Sequence, residues 1–389
     1  MDDYRISKRI IWILILSVTI FSSNMIISNN YNGISTKYQE LTFSINSIDT
    51  PIAIFSDIDF YFYSFLGDGS KETPYIIENK NIISTNGQNA IEIKNTTKYF
   101  IIRNCYLETD AEGIRIENIA NGTAIITKNT FKGNPSDAIV VTNCSFINVE
   151  NNTGSNNHVG IRISYSSNIT ILNNSFYGGV LTEFLTASGI GITNSYDIVV
   201  RNNTLNFFNR GIYAKECGNL TIRNNLIYNT REYGSIYLHL SNNNLIENNT
   251  VYNNIYSDGL RILTSSYNEI CYNTIYCCSE YGIKLTTGSN YNIVHHNNIL
   301  YNYFDGEFQG FDNSIGNIWF NVTSEEGNFW SDWNGVGNYL LDGGIYNYDN
   351  YPNENPISIN LEELYIPDTS NDDIYEENDF VRSSYAFPM

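Results

Sequence analysis

The chain has 389 residues, 42% of them hydrophobic, with 31 tyrosines and only 7 prolines, so it can bury a large core and is not a long disordered linker. Its formal charge of -20 is uneven: residues 285–389 hold 17 acidic residues against one basic residue, Arg382, which leaves -4 for residues 1–284. This balance argues against nucleic acid as a partner.

At the N-terminus Arg5, Lys8 and Arg9 precede the apolar run Ile10 to Phe21, and a second run, Met25 to Ile27, comes after a polar break. That is the outline of an export signal. The first run is short against the roughly 20 residues of a membrane span, yet no small-x-small cleavage site is present. Residues 1–30 are therefore expected to be a signal peptide or an N-terminal membrane anchor, which predicts an extracellular or cell-surface protein. Sequons at Asn95, Asn121, Asn143, Asn151, Asn168, Asn173, Asn202, Asn219, Asn248 and Asn321 agree with export and mark glycosylation candidates, although an Asn-rich repeat also generates such triplets. Six cysteines, Cys105, Cys144, Cys217, Cys271, Cys277 and Cys278, are too few and too irregular to define a disulfide framework.

Residues 31–66 end in the aromatic stretch PIAIFSDIDFYFYSF and are expected to form an N-terminal cap. From 67 to 326 one pattern recurs: an apolar residue, two variable ones, Asn, one variable, then an apolar residue, as in Ile126, Asn129, Phe131 and Ile246, Asn249, Val251. The recurring position falls at Lys80, Cys105, Asn129, Asn152, Asn174, Asn203, Asn225, Asn249, Asn273, Asn297 and Asn321, in steps of 22 to 29. Eight to ten residues later comes a small residue and then an apolar one, such as Gly113-Ile114, Gly160-Ile161, Gly211-Ile212 and Gly259-Leu260, leading into a short alternating segment. Alternation in segments of four or five residues between Asn, Gly and Ser signals short strands and turns. Such coils cannot bury their apolar faces alone and must stack at about 4.8 Å per rung. The chain is thus expected to be all-β, a right-handed single-stranded parallel β-helix of ten or eleven coils. Asn at the repeated turn is expected both to adopt left-handed backbone and to form an amide ladder. Leucine-rich repeats share the period but not the residue pattern.

The one long step, Asn174 to Asn203, contains an insertion, YGGVLTEFLTAS, expected to leave the solenoid as a loop. Residues 327–360, rich in Trp, Tyr and Gly, are expected to form the second cap. Residues 361–389 hold eight acids and one base and are expected to be a disordered tail.

The opening motif GDGSKETPYIIEN (Gly67 to Asn79) and the closing motifs GNFWSDWNG (Gly327 to Gly335) and DNYP (Asp349 to Pro352) resemble the NosD-type right-handed β-helix family, part of the broader carbohydrate-binding and sugar-hydrolase class with a pectin-lyase-like superfold. The resemblance covers roughly residues 67–357 and implies an exported surface protein of the kind found in archaea, without implying a reaction. NosD is named for periplasmic copper delivery. Here four histidines (His158, His239, His295, His296) and three methionines, with no Cys-x-x-Cys, speak against copper, and adjacent His295 and His296 are expected on opposite faces of a strand. The family's Asp-rich, calcium-like closing loop is reduced to Asp332, Asn334, Asn338 and Asp342, a weak calcium set. No cofactor is required.

Facing predicts that Arg115, Val140, Arg162, Tyr213, Tyr237, Arg261 and Lys284 form one outward column. Guanidinium groups suit uronate or sulfate, and flat rings suit sugar faces, so Arg115, Arg162, Tyr213, Tyr237, Arg261 and Lys284 are candidate carbohydrate-binding residues. Pairing with neighbouring acids is the plainer reading of the same bases. For catalysis the candidates are Glu112, Asp137 and His158 on three consecutive coils, with Asp258, Glu280 and Asp305 repeating the acidic part. Carboxyls on adjacent rungs about 5 Å apart suit a retaining pair, but the Asn-Thr-Asp, Gly-Asp-Asp and Gly-His-Gly signatures of polygalacturonase-like relatives are absent. The sequence therefore favours a non-catalytic binder of polysaccharide, ahead of a structural or adhesive surface protein and of a hydrolase or lyase. It leaves oligomeric state open.

Overall fold

The computed structural model describes residues 48–357 apart from 134, 180–186, 304–307 and 345–346. By its internal contacts the chain divides into residues 1–46 and 47–389. The expected signal or anchor, the first part of the 31–66 cap, the acidic tail, most of the insertion and Asp305 lie outside the described residues.

Strands of two to six residues form three parallel sheets of 11, 10 and 11 strands. Sheet I runs from Ile52–Ile54 to Gly310–Asp312, sheet II from Tyr75–Glu78 to Ile293–His295, and sheet III from Asn81–Ser84 to Phe329–Trp330. Each strand pairs with its counterpart one coil on, and the chain visits sheets II, III and I in turn, which is a parallel β-helix. Alternation sets the facing: in Ile91–Lys94 both isoleucines are buried and both charged residues are partly exposed. The inward isoleucines of all three sheets merge into one continuous core.

The corner between sheets II and III divides between two adjacent residues the tasks expected of one. The residue entering it is left-handed: Asn151, Asn173, Asn202, Asn224 and Asn248 have φ between 53° and 56°. The next residue is the buried ladder Asn, whose side chain bonds to the coil on either side. Left-handed tolerance therefore explains the outer Asn and amide pairing the inner one. The ladder runs from Asn129 through Asn297 but ends on Asn328 rather than Asn321, since Asn297 donates to Asn328 Oδ1 at 2.9 Å. Asn321 instead organises its own turn, accepting from Thr323 and Ser324.

The small-residue mark is the corner from sheet III into sheet I. A Cβ on Gly211 would lie 2.3 Å from Ile227 Cγ2 and 2.6 Å from the Ser235 carbonyl, so the chain passes too close to the next coil for a side chain. At one end Phe60 is fully buried and stacks on Tyr75 at 4.5 Å. At the other, Asp349 accepts from Asn328 and from Trp330 Nε1, tying the two halves of the closing motif together.

Candidate functional site

Strand register places the expected column in one unbroken line on the outside of sheet I: Glu92, Arg115, Val140, Arg162, Gly191, Tyr213, Tyr237, Arg261, Lys284 and Phe311. Two members depart from expectation. Val140 and Tyr237 are 3% and 6% exposed, and the Tyr237 ring packs against Tyr213, Tyr233 and His239.

A second outward column, three residues earlier on the same strands, includes Asp137, Val159, Ser188, Arg210 and Gly234 in register. Glu112 and Asp258 hold the equivalent place in their coils. The two columns are complementary. Arg115 and Arg261 stand beside the acids Glu112 and Asp258 of their own coils, Arg162 and Lys284 reach Asp137 and Asp258 of the coil before, and beside Tyr213 the second column holds Arg210.

The upper part is electrostatically closed. Arg115 Nη1 donates to both carboxylate oxygens of Glu112, at 2.9 and 3.0 Å, and its Nε donates to Glu117 at 3.1 Å. Arg162 forks onto Asp137 through Nε and Nη2, and His158 Nδ1 lies 3.5 Å from Asp137 Oδ1. The structure thus brings Asp137 and His158 into contact but gives Glu112 to Arg115. Burial alone would raise the Asp137 carboxyl, yet hydrogen bonds from His158 and Arg162 outweigh it and hold it below the ordinary aspartate value. An ionised carboxylate already forked by Arg162 is poorly placed to donate a proton.

The middle part is different, and it turns on Arg210, which column reading from the small-apolar mark missed. Its guanidinium carbon lies 4.5 Å from the Tyr213 ring centre, 4.4 Å from Tyr233 and 5.8 Å from Tyr237. Among the described residues no carboxylate lies within 4.0 Å of Arg210, and its Nε has no hydrogen-bond partner. The available signal was the residue just before each small one, where acids stand at 112, 137 and 258 and a base stands at 210.

In the lower part Asp258 is 1% exposed, between Arg261 at 3.5 Å and Lys284 at 3.7 Å. Both are at ion-pair range, but Oδ1 accepts no hydrogen bond. Burial pushes this carboxyl up to about 7, against the pull of the two cations. Lys284 also sits 4.8 Å from the Tyr281 ring and 5.4 Å from Phe311.

The four calcium candidates have separate partners. Asp332 accepts from Gln309 Nε2 and Tyr339, Asn334 from the Val336 N–H, and Asp342 from Tyr281 and the Gly343 N–H, while Asn338 donates to Asn350. Of the ten sequon asparagines, Asn151 and Asn321 are partly exposed and the rest exposed. All six cysteines are buried and form no disulfide.

The two adjacent histidines do not take opposite faces. His296 is left-handed, at φ 54°, which ends the alternation and swings its ring onto His295, with Nδ1 to Nδ1 at 2.6 Å. A carboxylate oxygen of Glu269, the Cys271 sulfur and a His295 ring nitrogen lie within 4.8 Å of one another.

The sequence profile of the right handed beta helix region matches residues 11–176 and 63–205, and that of the periplasmic copper-binding protein NosD matches residues 179–335. No curated protein matches. Among solved structures, a mutant of the periplasmic alginate epimerase AlgG is 16% identical over 70% of this chain and 66% of its own, with a TM-score of 0.41. The A-module of the Azotobacter vinelandii mannuronan C-5 epimerase AlgE6 is 14% identical over 62% and 78%, at 0.38. A tailspike protein mutant of E. coli bacteriophage HK620, in complex with a pentasaccharide, is 14% identical over 67% and 56%, at 0.41. The chain spans just under two thirds of the AlgG structure and little more than half of the tailspike.

Stacked three-strand coils with an internal amide ladder and outward side-chain columns define a parallel β-helix repeat protein. The chain belongs to the right-handed β-helix family, and its residues 179–335 match the NosD model. Copper appears in that family's description, and copper favours thiolate and imidazole donors. Donors of those types do converge here, at Cys271 and His295, a pairing the expectation against copper did not foresee.

Proposed function

We propose that this is an exported, non-catalytic surface protein that holds acidic polysaccharide along the paired columns of sheet I. Arg210 carries the reading. In a chain of charge -20, it is gripped by tyrosine rings while its polar edge has no carboxylate within 4.0 Å among the described residues. A guanidinium held that way is oriented in advance and keeps its donors for a uronate or sulfate group. Tyr213 and Tyr233 supply the flat surface for the sugar ring. Arg115 and Arg162 serve less well, since their acids already occupy them.

The test uses the full chain on immobilised uronic, sulfated and neutral polysaccharides. Retention on the acidic ones should weaken as salt rises. Arg210→Ala should weaken it about tenfold or more, from a lost charge-assisted bond, and Arg162→Ala much less. Folded protein that ignores every acidic polysaccharide would leave a structural surface role as the better account.

One observation favours a second reading, a polysaccharide hydrolase or lyase: Asp258, a buried carboxyl near neutrality with one oxygen that accepts no hydrogen bond. Oligosaccharide release by the wild type, lost in Asp258→Asn, would establish that reading over the binder.

A further inference from the structure

The outward column of sheet II holds Glu150, Leu172, Arg201, Arg223 and Glu247 in successive coils, an ordinary partly exposed surface. The next two coils break it with Cys271 and His295, in register with each other and buried. Glu269 lies two residues before Cys271, hence on the same face of the strand. His295 Nε2 is 3.2 Å from Glu269 Oε1, and the three donor atoms fall within 4.8 Å of one another.

The opposite edge of the His295 ring is also held. Its Nδ1 meets His296 Nδ1 at 2.6 Å, and His296 Nε2 meets Glu326 Oε2 at 2.8 Å. His296 and Tyr272, whose rings stack at 4.8 Å, occupy the left-handed corner that Asn224 and Asn248 take in earlier coils. Asn is the easier residue for that backbone, so these coils give up a favourable corner and gain a braced imidazole beside a thiol and a carboxylate.

We propose that Glu269, Cys271 and His295 are the protein ligands of one borderline transition-metal ion of the zinc class, with His296 and Glu326 positioning His295 from behind. Thiolate, imidazole and carboxylate are the donors that zinc takes, and three protein ligands leave a fourth position open, on the side where Glu269 is exposed. Tetrahedral donors about 2.0–2.3 Å from an ion sit closer together than 4.8 Å; Glu269 and His295 already meet at 3.2 Å, so binding draws the Cys271 sulfur and this pair together. A ligating histidine is characteristically held through its other nitrogen, here by His296.

The full chain, stripped with chelator, is titrated with Co2+ and then Zn2+, while circular dichroism tracks the fold. The expected result is one equivalent of Co2+ with a thiolate-to-cobalt charge-transfer band that Zn2+ displaces. Cys271→Ser and His295→Gln should each remove the band, Cys277→Ser should leave it, and Glu326→Gln should weaken uptake about tenfold or more. Folded wild type without the band, or a band that survives Cys271→Ser, would overturn the proposal. Polysaccharide retention is not read here, so this site and the sheet I reading stand or fall separately.

Discussion

The side-chain amide of Asn249 donates to Asn273 Oδ1 at 2.9 Å, and the Asn249 backbone N–H reaches the same oxygen at 2.9 Å. Asn249 in turn accepts two such bonds from Asn225 and gives one to the Ile222 carbonyl. Every amide in this ladder is buried, so removing one leaves several partners unsatisfied. Asn249→Ala should lower unfolding stability by about 3 kcal/mol or more, at roughly 1–3 kcal/mol per orphaned group, as read by urea titration. The exposed neighbour Asn248→Ala should cost less, because it loses only a left-handed preference.

Gly211→Val tests the corner into sheet I. The added carbons meet Ile227 and the Ser235 carbonyl below contact distance, and overpacking of this kind costs about 1–3 kcal/mol. A melting temperature equal to that of the wild type would show that the corner has room to spare.

Asp137 should make the fold sensitive to acid. Its folded-state carboxyl lies below the ordinary value, so its contribution is complete above the unfolded aspartate pKa and is lost as pH falls through the folded one. In acid titrations read by circular dichroism, Asp137→Asn should flatten the low-pH loss of stability.

Asp258 should act in the opposite sense. With its carboxyl raised to about 7, the folded state binds the proton more tightly than the unfolded state. Stability therefore falls as pH rises from the ordinary aspartate range to about 7. Denaturant midpoints for Asp258→Asn should lack that decline, whereas a slope equal to the wild type would show the carboxyl to be ionised throughout.

The cysteines should all behave as buried thiols. Burial pushes Cys105 and Cys217 up to about 11, and thiolate is the reactive form. Alkylation of native protein at pH 8 should be slow at every cysteine and rapid after unfolding, with no change in mobility on reduction.

Much of this protein was legible in the sequence because a solenoid is nearly one-dimensional. Period-two facing and a 22- to 29-residue step set which residues turn inward, which share a column, and where Arg115, Arg162, Tyr213 and Arg261 stand. Only the tertiary structure decided what each column member touches, because its partners come from a neighbouring coil or the next corner. It paired Arg162 with Asp137 and left Arg210 to the tyrosines. It moved the end of the ladder from Asn321 to Asn328 across an irregular closing turn. His295 and His296 show the reason most plainly: strand alternation separates adjacent side chains, and a single left-handed residue, which periodicity does not encode, brings them together.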